Sequence, residues 1–375
     1  MTRTLEPILR DRGLIGPSDL PPDSRARIVL GTLAPSPTGP VLFQRHWRLD
    51  PEQTYYYPAS AVKLIAVASA LSRLSLAVPF DLDFDRSFVR LRTDRAGSRQ
   101  PHSSVGTLIR RIGAVSCNHS YNTLFDALGA RAFRDLFERL RMPARLTHHL
   151  SPPIVRPIKD YLRSDGATWS LVERAPGLRS ETFEVRPSNA PCEPSSWDSS
   201  ESIGRAHFVG SERREGPLDF SSRNRVELAD LQRILCAVCI PWAHCGLRLF
   251  MRDNARRFLI DSLTDFPRVA AHRSAPNSFS GDEATLADSW GKLFLEAIGR
   301  SFPGFSVRHV SKFGQAYGFT TENALLLAPG KPEVFLAASV YTNSGGVVGG
   351  DQYEYDFATN WFTRLASVIL EELWA

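Results

Sequence analysis

Apolar residues recur along this chain in two rhythms, and their order predicts the architecture. In residues 60–76, Val62, Ile65, Ala66, Ala70 and Leu74 recur at helical spacing, the pattern of one helix face, with the small Ser69 between them. Pro58 just ahead marks the start of that helix. Earlier, residues 27–33 and 41–49 read as extended runs joined by the Pro- and Gly-rich stretch 34–40, a hairpin with a longish loop. Helical spacing resumes in pieces over 104–112, 118–128 and 132–140, with Gly129 as a stop, and again over 226–240 and 294–299. Strand signals follow at 309–319 and 323–327, and then at the strongly β-prone 334–342 beyond the turn Ala328-Pro329-Gly330-Lys331. A glycine-rich turn at 343–350 leads into a long amphipathic helix over 356–374. The first sixteen residues form a short amphipathic helix through Leu5, Ile8 and Leu9.

This order predicts an α/β (α+β) fold in which one antiparallel sheet is built from both chain ends and flanked by helices. Residues 1–60 and 290–375 make the sheet lobe, and 61–289 a helical lobe, with a cleft between them. Within the helical lobe, residues 145–225 are rich in Pro, Ser, Arg and Asp and have little periodicity. A loop-rich insert of that length predicts a lid, a binding element or a mobile insert. No internal repeat is present.

Composition narrows the function classes. With 43% hydrophobic and 23% charged residues, the 375-residue chain reads as ordinary globular protein. The net charge of +5 is carried by scattered arginines, which argues against a nucleic-acid-binding face. No apolar run of about 18 residues suggests a membrane span. The charged N-terminus lacks a signal-peptide core, so a cytoplasmic protein is expected, or a periplasmic or secreted one if the chain start is a processed or truncated form. Five cysteines, an odd number, argue against a disulfide framework. Cys236, Cys239 and Cys245 read as core residues, with too few ligands for a metal site. No metal or organic cofactor is implied; the expected partner is a small-molecule or peptide substrate, and the oligomeric state is left open. Only five of the 45 basic residues are Lys: Lys63, Lys159, Lys292, Lys312 and Lys331. Lys can lose its proton when buried and Arg cannot, so a retained Lys is a candidate for chemistry, although a surface role suffices for three of the five.

One such lysine closes the run Ser60-Ala61-Val62-Lys63 at the predicted helix start. A serine hydroxyl is a poor nucleophile until a neighbour takes its proton, and Ser-x-x-Lys on a first helical turn puts the two side chains on one face. The helix N-terminus adds backbone N–H groups for an oxyanion. Alone the pattern is unspecific, since Ser289-Trp290-Gly291-Lys292 repeats it. Only Ser60, however, follows a hairpin and opens a long helix.

With three blocks together, at residues 27–63, 116–129 and 311–342, the chain resembles the penicillin-recognising serine enzymes, closest to class A β-lactamases. That resemblance implies Ser60 as nucleophile and Lys63 as base. It implies a Ser-Asp-Asn element at Ser116-Cys117-Asn118 or at Ser120-Tyr121-Asn122. The first register also places Asn122 and Leu128-Gly129 on further family positions, so Ser116 becomes a proton relay and Asn118 a substrate-amide contact; the structural alternative is a helix cap. Lys312-Phe313-Gly314 stands for the family's Lys-Thr-Gly, so Lys312 supplies positive potential and helps protonate the leaving group. The backbone N–H of Gln315 becomes the second oxyanion donor, and Phe313, Gly314, Gln315 and Tyr317 line the substrate. Gly314 is read as room for close substrate approach.

There are departures from the family pattern. Phe313 lacks the hydroxyl that helps hold a substrate carboxylate, and Cys117 replaces an Asp. The family's deacylating Glu, with an Asn four residues on, is missing: the corresponding stretch reads His148-His149-Leu150-Ser151-Pro152-Pro153, and Glu181 and Glu184 are wrongly spaced from Asn189. Losing a general base costs about 10²–10⁴-fold, which predicts a poor β-lactamase. The blocks 204–210 and 219–225 also look like those of uncharacterised family relatives and read as part of a lid or as a surface insert. The function expected is a serine hydrolase or acyltransferase acting on an amide or ester. A D,D-peptidase-like penicillin-binding enzyme and a non-catalytic binding protein on the same fold are the alternatives.

Overall fold

A computed structural model of the chain describes residues 5–16, 18–21, 23–50, 54–77, 81–84, 87–92, 104–147, 168–173, 201–274 and 278–374. Contacts divide the chain into two compact units. One comprises Met1–Val62, Ser195–Leu247 and Gly291–Ala375, the other Lys63–Pro194 and Arg248–Trp290.

The β-prone run near the chain end becomes the strand Val334–Tyr341, buried along its whole length. A strand covered on both faces needs such a continuous apolar run. It lies between Phe319–Leu327 and the N-terminal strand Arg27–Ala34, with Leu30 opposite Leu336. The edge strands Arg308–Ala316 and Val41–Arg48 complete a five-stranded antiparallel sheet. On one face Ile28, Leu30, Leu326, Leu336, Ala338 and Val340 pack with Trp361, Phe362, Leu365 and Ile369 of the C-terminal helix Tyr355–Trp374. Burying each Leu, Ile, Val or Phe side chain among them is worth about 1.5–3 kcal/mol. Indole groups stitch this layer to the chain around it. Trp361 Nε1 donates to Leu14 O and Trp374 Nε1 to Pro332 O, each at 3.0 Å.

The other face is covered by the helix Leu228–Cys239, and the bonds are polar. Fully buried Gln232 donates to Val29 O at 2.9 Å and Phe335 O at 3.2 Å, while Asn323 donates to Leu231 O at 2.8 Å. Gly31 is required here, because a Cβ would lie 2.5 Å from Gln232 Oε1. These amides tie to the sheet a helix that apolar spacing had assigned to the helical lobe. Periodicity shows that a helix has a buried face, not which layer covers it.

Two further expectations change. The strand expected over 309–319 ends at Ala316, and Phe319 opens the next one. Between them Tyr317 and Gly318 form a two-residue turn with φ of +57° and +85°. Two successive left-handed residues suit the twist of a tight hairpin, but Tyr is not a usual occupant and gave no turn signal. Part of the expected loop-rich insert is regular: Ala206–Val209 pairs with Glu212–Glu215, and in parallel with Val347–Val348. Ser202–Ile203 pairs with Leu218–Asp219, and buried Arg225 and Glu201 form an ion pair nearby. The rest of that insert falls largely outside the described residues.

In the second unit the apolar helix Lys63–Ala77 packs against Val105–Val115, Asn118–Leu128, Ala130–Leu140 and Asp253–Thr264. Contrary to the expectation of no membrane-length apolar run, the stretch Ala59–Ala77, with mean hydropathy 1.4, is long and apolar enough to cross a membrane by length and composition. It is 83% buried inside the protein, so core packing accounts for its apolarity. Ser104 caps Val105–Val115, its Oγ accepting from Thr107 N at 2.9 Å. Later in that helix, Gly113 meets Asp253–Thr264 so closely that a Cβ would lie 2.2 Å from Ser262 O.

This contact decides the sign of one substitution. Gly→Ala inside a helix ordinarily gains about 1 kcal/mol. Here the new methyl meets a backbone carbonyl, and overpacking of that kind costs about 1–3 kcal/mol. Gly113→Ala is therefore expected to lower stability by about 1–2 kcal/mol in urea unfolding, and a rise would contradict the packing described.

Candidate functional site

The candidate residues fall into two groups, one in each unit. In the first, Ser60 sits in a single 3-10 turn, Ala59–Val62, and the α-helix proper begins at Lys63. Ala59 opens this turn with φ +47°, a left-handed conformation that costs an L-residue roughly 1–2 kcal/mol. Ser60 is half-buried between buried Ala59 and Ala61.

The edge strand Arg308–Ala316 lies directly against this turn. A Cβ on Gly314 would sit 2.3 Å from Ser60 N, 2.6 Å from Ala61 N and 2.9 Å from Pro58 O. The space Gly314 leaves is thus occupied by the serine turn itself, not held open for a substrate. This close backbone contact is what the glycine permits. Pairing phase then fixes the next amide. Ala316 and Phe319 flank the two-residue turn as a hydrogen-bonded pair, so the following pair, Gln315 and Thr320, is of the other type. The Gln315 N–H therefore points off the open edge of the sheet. The same phase points Phe313 O to that edge, where Lys312 Nζ donates to it at 2.9 Å. Lys312 is buried. Alternation puts the Phe313 side chain on the opposite face, where a Cβ on Gly291 would come 2.7 Å from its ring.

The second group surrounds Lys63, which is fully buried. Its Nζ donates to Asn118 Oδ1 at 2.6 Å, to Ser116 Oγ at 3.3 Å and to Ser116 O. Ser116 ends the helix Val105–Val115 with φ +53°, its N–H bonded back to Arg111 O. Asn118 opens the helix that follows. Ser120, the alternative serine, is buried inside that helix and does not share the amine. Burial pushes the Lys63 ammonium down to about 7 against a smaller opposing pull from Cys117. Five described non-glycine residues have positive φ, and Ala59, Ser116 and Tyr317 are three of them. Strain is thus concentrated in the segments carrying candidate chemistry.

Tyr317, expected to line the substrate, has neighbours that were not singled out from the sequence. Tyr57, Phe220 and Tyr317 form a ring triad with all three centroid separations at 5.4 Å. Arg223 donates to Tyr317 Oη at 3.0 Å, and its guanidinium lies 4.9 Å from that ring's centre. The sequence marked Phe220 and Arg223 only as part of a family-like block. Of the four described lysines, Lys63, Lys292 and Lys312 are buried, so the surface reading covers fewer than expected. Lys292 donates to His309 O at 3.3 Å and Ser311 Oγ at 3.4 Å. The stretch 148–153 and Glu181, Glu184 and Asn189 lie outside the described residues. Among the described residues no group of three His, Cys, Asp or Glu side chains could hold a metal ion.

Known structures share this architecture. A β-lactamase from Desulfarculus baarsii DSM 2075 is 15% identical, with TM-score 0.52 and 100% of each chain covered. A representative class A β-lactamase from Bacteroides cellulosilyticus DSM 14838 is 10% identical, with TM-score 0.52, covering 99% of this chain and 100% of its own. At these identities the likeness defines the fold, and the chain has the β-lactamase/transpeptidase-like fold, as its sequence resemblance implied. No protein-family model matches the chain, and no curated protein matches it significantly.

The backbone contact at Gly314 gives a direct test. Gly314→Ala must push the serine turn away from the strand, and with Ser60 as the reacting group, the role proposed below, a displacement of about 1 Å costs on the order of 10²-fold. Covalent labelling of Ser60 by a fluorophosphonate is expected to slow by about that factor in the folded variant. An unchanged labelling rate would contradict the contact.

Proposed function

We propose that the protein is a serine hydrolase or acyltransferase that forms an acyl-enzyme on Ser60, acting on an amide or ester. One observation carries the reading. Three residues after Ser60 stands a buried amine whose ammonium form is destabilised to about pH 7, held by three oxygen acceptors. At neutral pH a large fraction of Lys63 is then neutral and able to accept a proton.

In the acylation step the Ser60 Oγ–H proton passes to neutral Lys63, directly or through water, as Oγ bonds to the substrate carbonyl carbon. The carbonyl electrons move onto oxygen, where the backbone N–H groups of Ser60 and Gln315 receive the developing charge. Collapse expels the amine or alcohol, which takes back one proton by way of Lys63 and Ser116. Lys312 supplies positive potential. A water or an acceptor alcohol or amine then releases the acyl group. Because no Glu with an Asn four residues on follows the helices, the deacylating water lacks that base, and the acyl-enzyme is long-lived.

The test is intact mass after exposure to a fluorophosphonate and to a penicillin, with Ser60→Ala as control. A stable adduct of one probe mass is expected on the wild-type chain and none on the variant. The labelling rate should rise through about pH 7 and level off above it, because below that pH the base is protonated. Stability follows the same group. Its folded value lies below the unfolded value of 10.5, so the buried charge costs stability below about pH 7. That cost is removed progressively as pH rises from about 7 towards 10.5. Absence of any Ser60-dependent adduct, or rapid turnover of a cephalosporin dye, would overturn the reading.

A further inference from the structure

The ring triad joins three separate segments of the first unit. Tyr57 stands three residues before Ser60, Tyr317 two residues after Gln315, and Phe220 comes from the small β ladder over 201–226. Phe220 is fully buried and touches both tyrosines, at 5.4 Å to each, as well as Tyr55 at 5.6 Å. Its own segment is anchored independently. Phe220 N donates to Glu201 O at 3.0 Å, and Glu201 pairs with Arg225. Tyr55 Oη donates to Asn224 O at 2.7 Å. Arg223 N donates to Phe220 O at 2.8 Å, which aims the guanidinium back at the Tyr317 hydroxyl.

Tyr317 is where such support has a consequence. Its φ of +57° is unfavourable for a bulky L-residue, so the turn must be held from outside. On one side Arg223 and Phe220 hold its side chain. On the other, Tyr355 Oη accepts from Gly318 N at 3.2 Å, and Thr342 N donates to Gly318 O at 2.8 Å. The turn sets the phase of the strand that presents the Gln315 N–H, and Tyr57 belongs to the segment that presents Ser60. Beside the backbone contact at Gly314, this cluster of rings joins the segment that carries Ser60 to the turn that sets the phase of Gln315.

Resting on the proposed acylation of Ser60, we infer that Phe220 and Arg223 are positioning residues: they lock the serine segment to the strand end carrying Gln315, which makes the 201–226 ladder a working part of the catalytic unit. Neither is asked to touch substrate. An interaction needed for alignment lowers the rate of the bond-making step and leaves initial binding intact.

The experiment is fluorophosphonate labelling of the full chain, followed over a range of probe concentrations to separate the limiting rate from half-saturation. The variants are Phe220→Leu, Phe220→Tyr, Arg223→Gln, Arg223→Lys and Tyr317→Phe, with urea midpoints measured alongside. The limiting rate is expected to fall about 10–100-fold in Phe220→Leu, with half-saturation within about twofold of wild type. Phe220→Tyr should restore most of it, and Arg223→Gln and Tyr317→Phe should show matching losses because they break the same bond. Should Phe220→Leu fail to fold, Tyr317→Phe and Arg223→Lys, which keep ring and charge, carry the test. Wild-type limiting rates in all folded variants, or losses confined to half-saturation, would overturn the inference while leaving acylation of Ser60 intact. Failure of the wild-type chain to label would overturn both.

Discussion

The arrangement depends most on the burial of one amine. Lys63 is the first residue of an almost wholly buried helix, with its charge-bearing end inside the protein. Removing an ammonium from water is costly, so such a group either finds acceptors or gives up its proton, and Lys63 does something of each. Ser116 O, Ser116 Oγ and Asn118 Oδ1 receive its donors, yet desolvation still brings the ammonium down to about 7. To deliver two oxygens, Ser116 leaves helical geometry for φ +53°, and Ala59 adopts +47° just ahead of Ser60. The left-handed backbone at these non-glycine positions is understandable as the cost of presenting a serine and a weakly basic amine in one short stretch.

The proposed oxyanion side follows a different logic, based on backbone and not on charge. Nothing about a glycine in Lys312-Phe313-Gly314 is chemical in itself; its value is that two backbones come closer than any side chain allows. Hairpin phase then decides which amides face the open edge, and a change of turn length by one residue would turn Gln315 inward. The side chains that stabilise the hairpin tip, Tyr317, Arg223, Phe220 and Tyr355, thereby bear on a backbone N–H that none of them carries.

Much of this fold was legible beforehand, and the reason is periodicity. The sheet strands near the chain end and the central helix announce themselves because burial on a face imposes a rhythm on apolar residues. The candidates Ser60, Lys63, Ser116, Asn118 and Lys312 came from a resemblance to a known family, as did the departure at Phe313; of these the structure brings Lys63, Ser116 and Asn118 into hydrogen-bonded contact. What escaped notice had no rhythm to give. Glu212–Glu215 is a fully exposed strand made only of charged residues, held by its neighbour and not by a core. The Leu228–Cys239 helix looked like any amphipathic helix, and it is the bonds of Gln232 and Asn323 that show which layer it serves. The Tyr317-Gly318 turn escaped because Tyr at a left-handed position is stabilised by contacts far away in sequence. The role proposed for Phe220 and Arg223 has the same origin.

Lys63 is proposed as a base because it is buried, and titrating the amine itself tests that without any substrate chemistry. With isotope-labelled lysine, the Lys63 side-chain resonance, assigned by its absence in Lys63→Met, reports the protonation state without any substrate. A midpoint near 7 is expected, far below the 10.5 of a free lysine. A midpoint above about 9.5 would show a permanently charged amine at neutral pH and contradict the account.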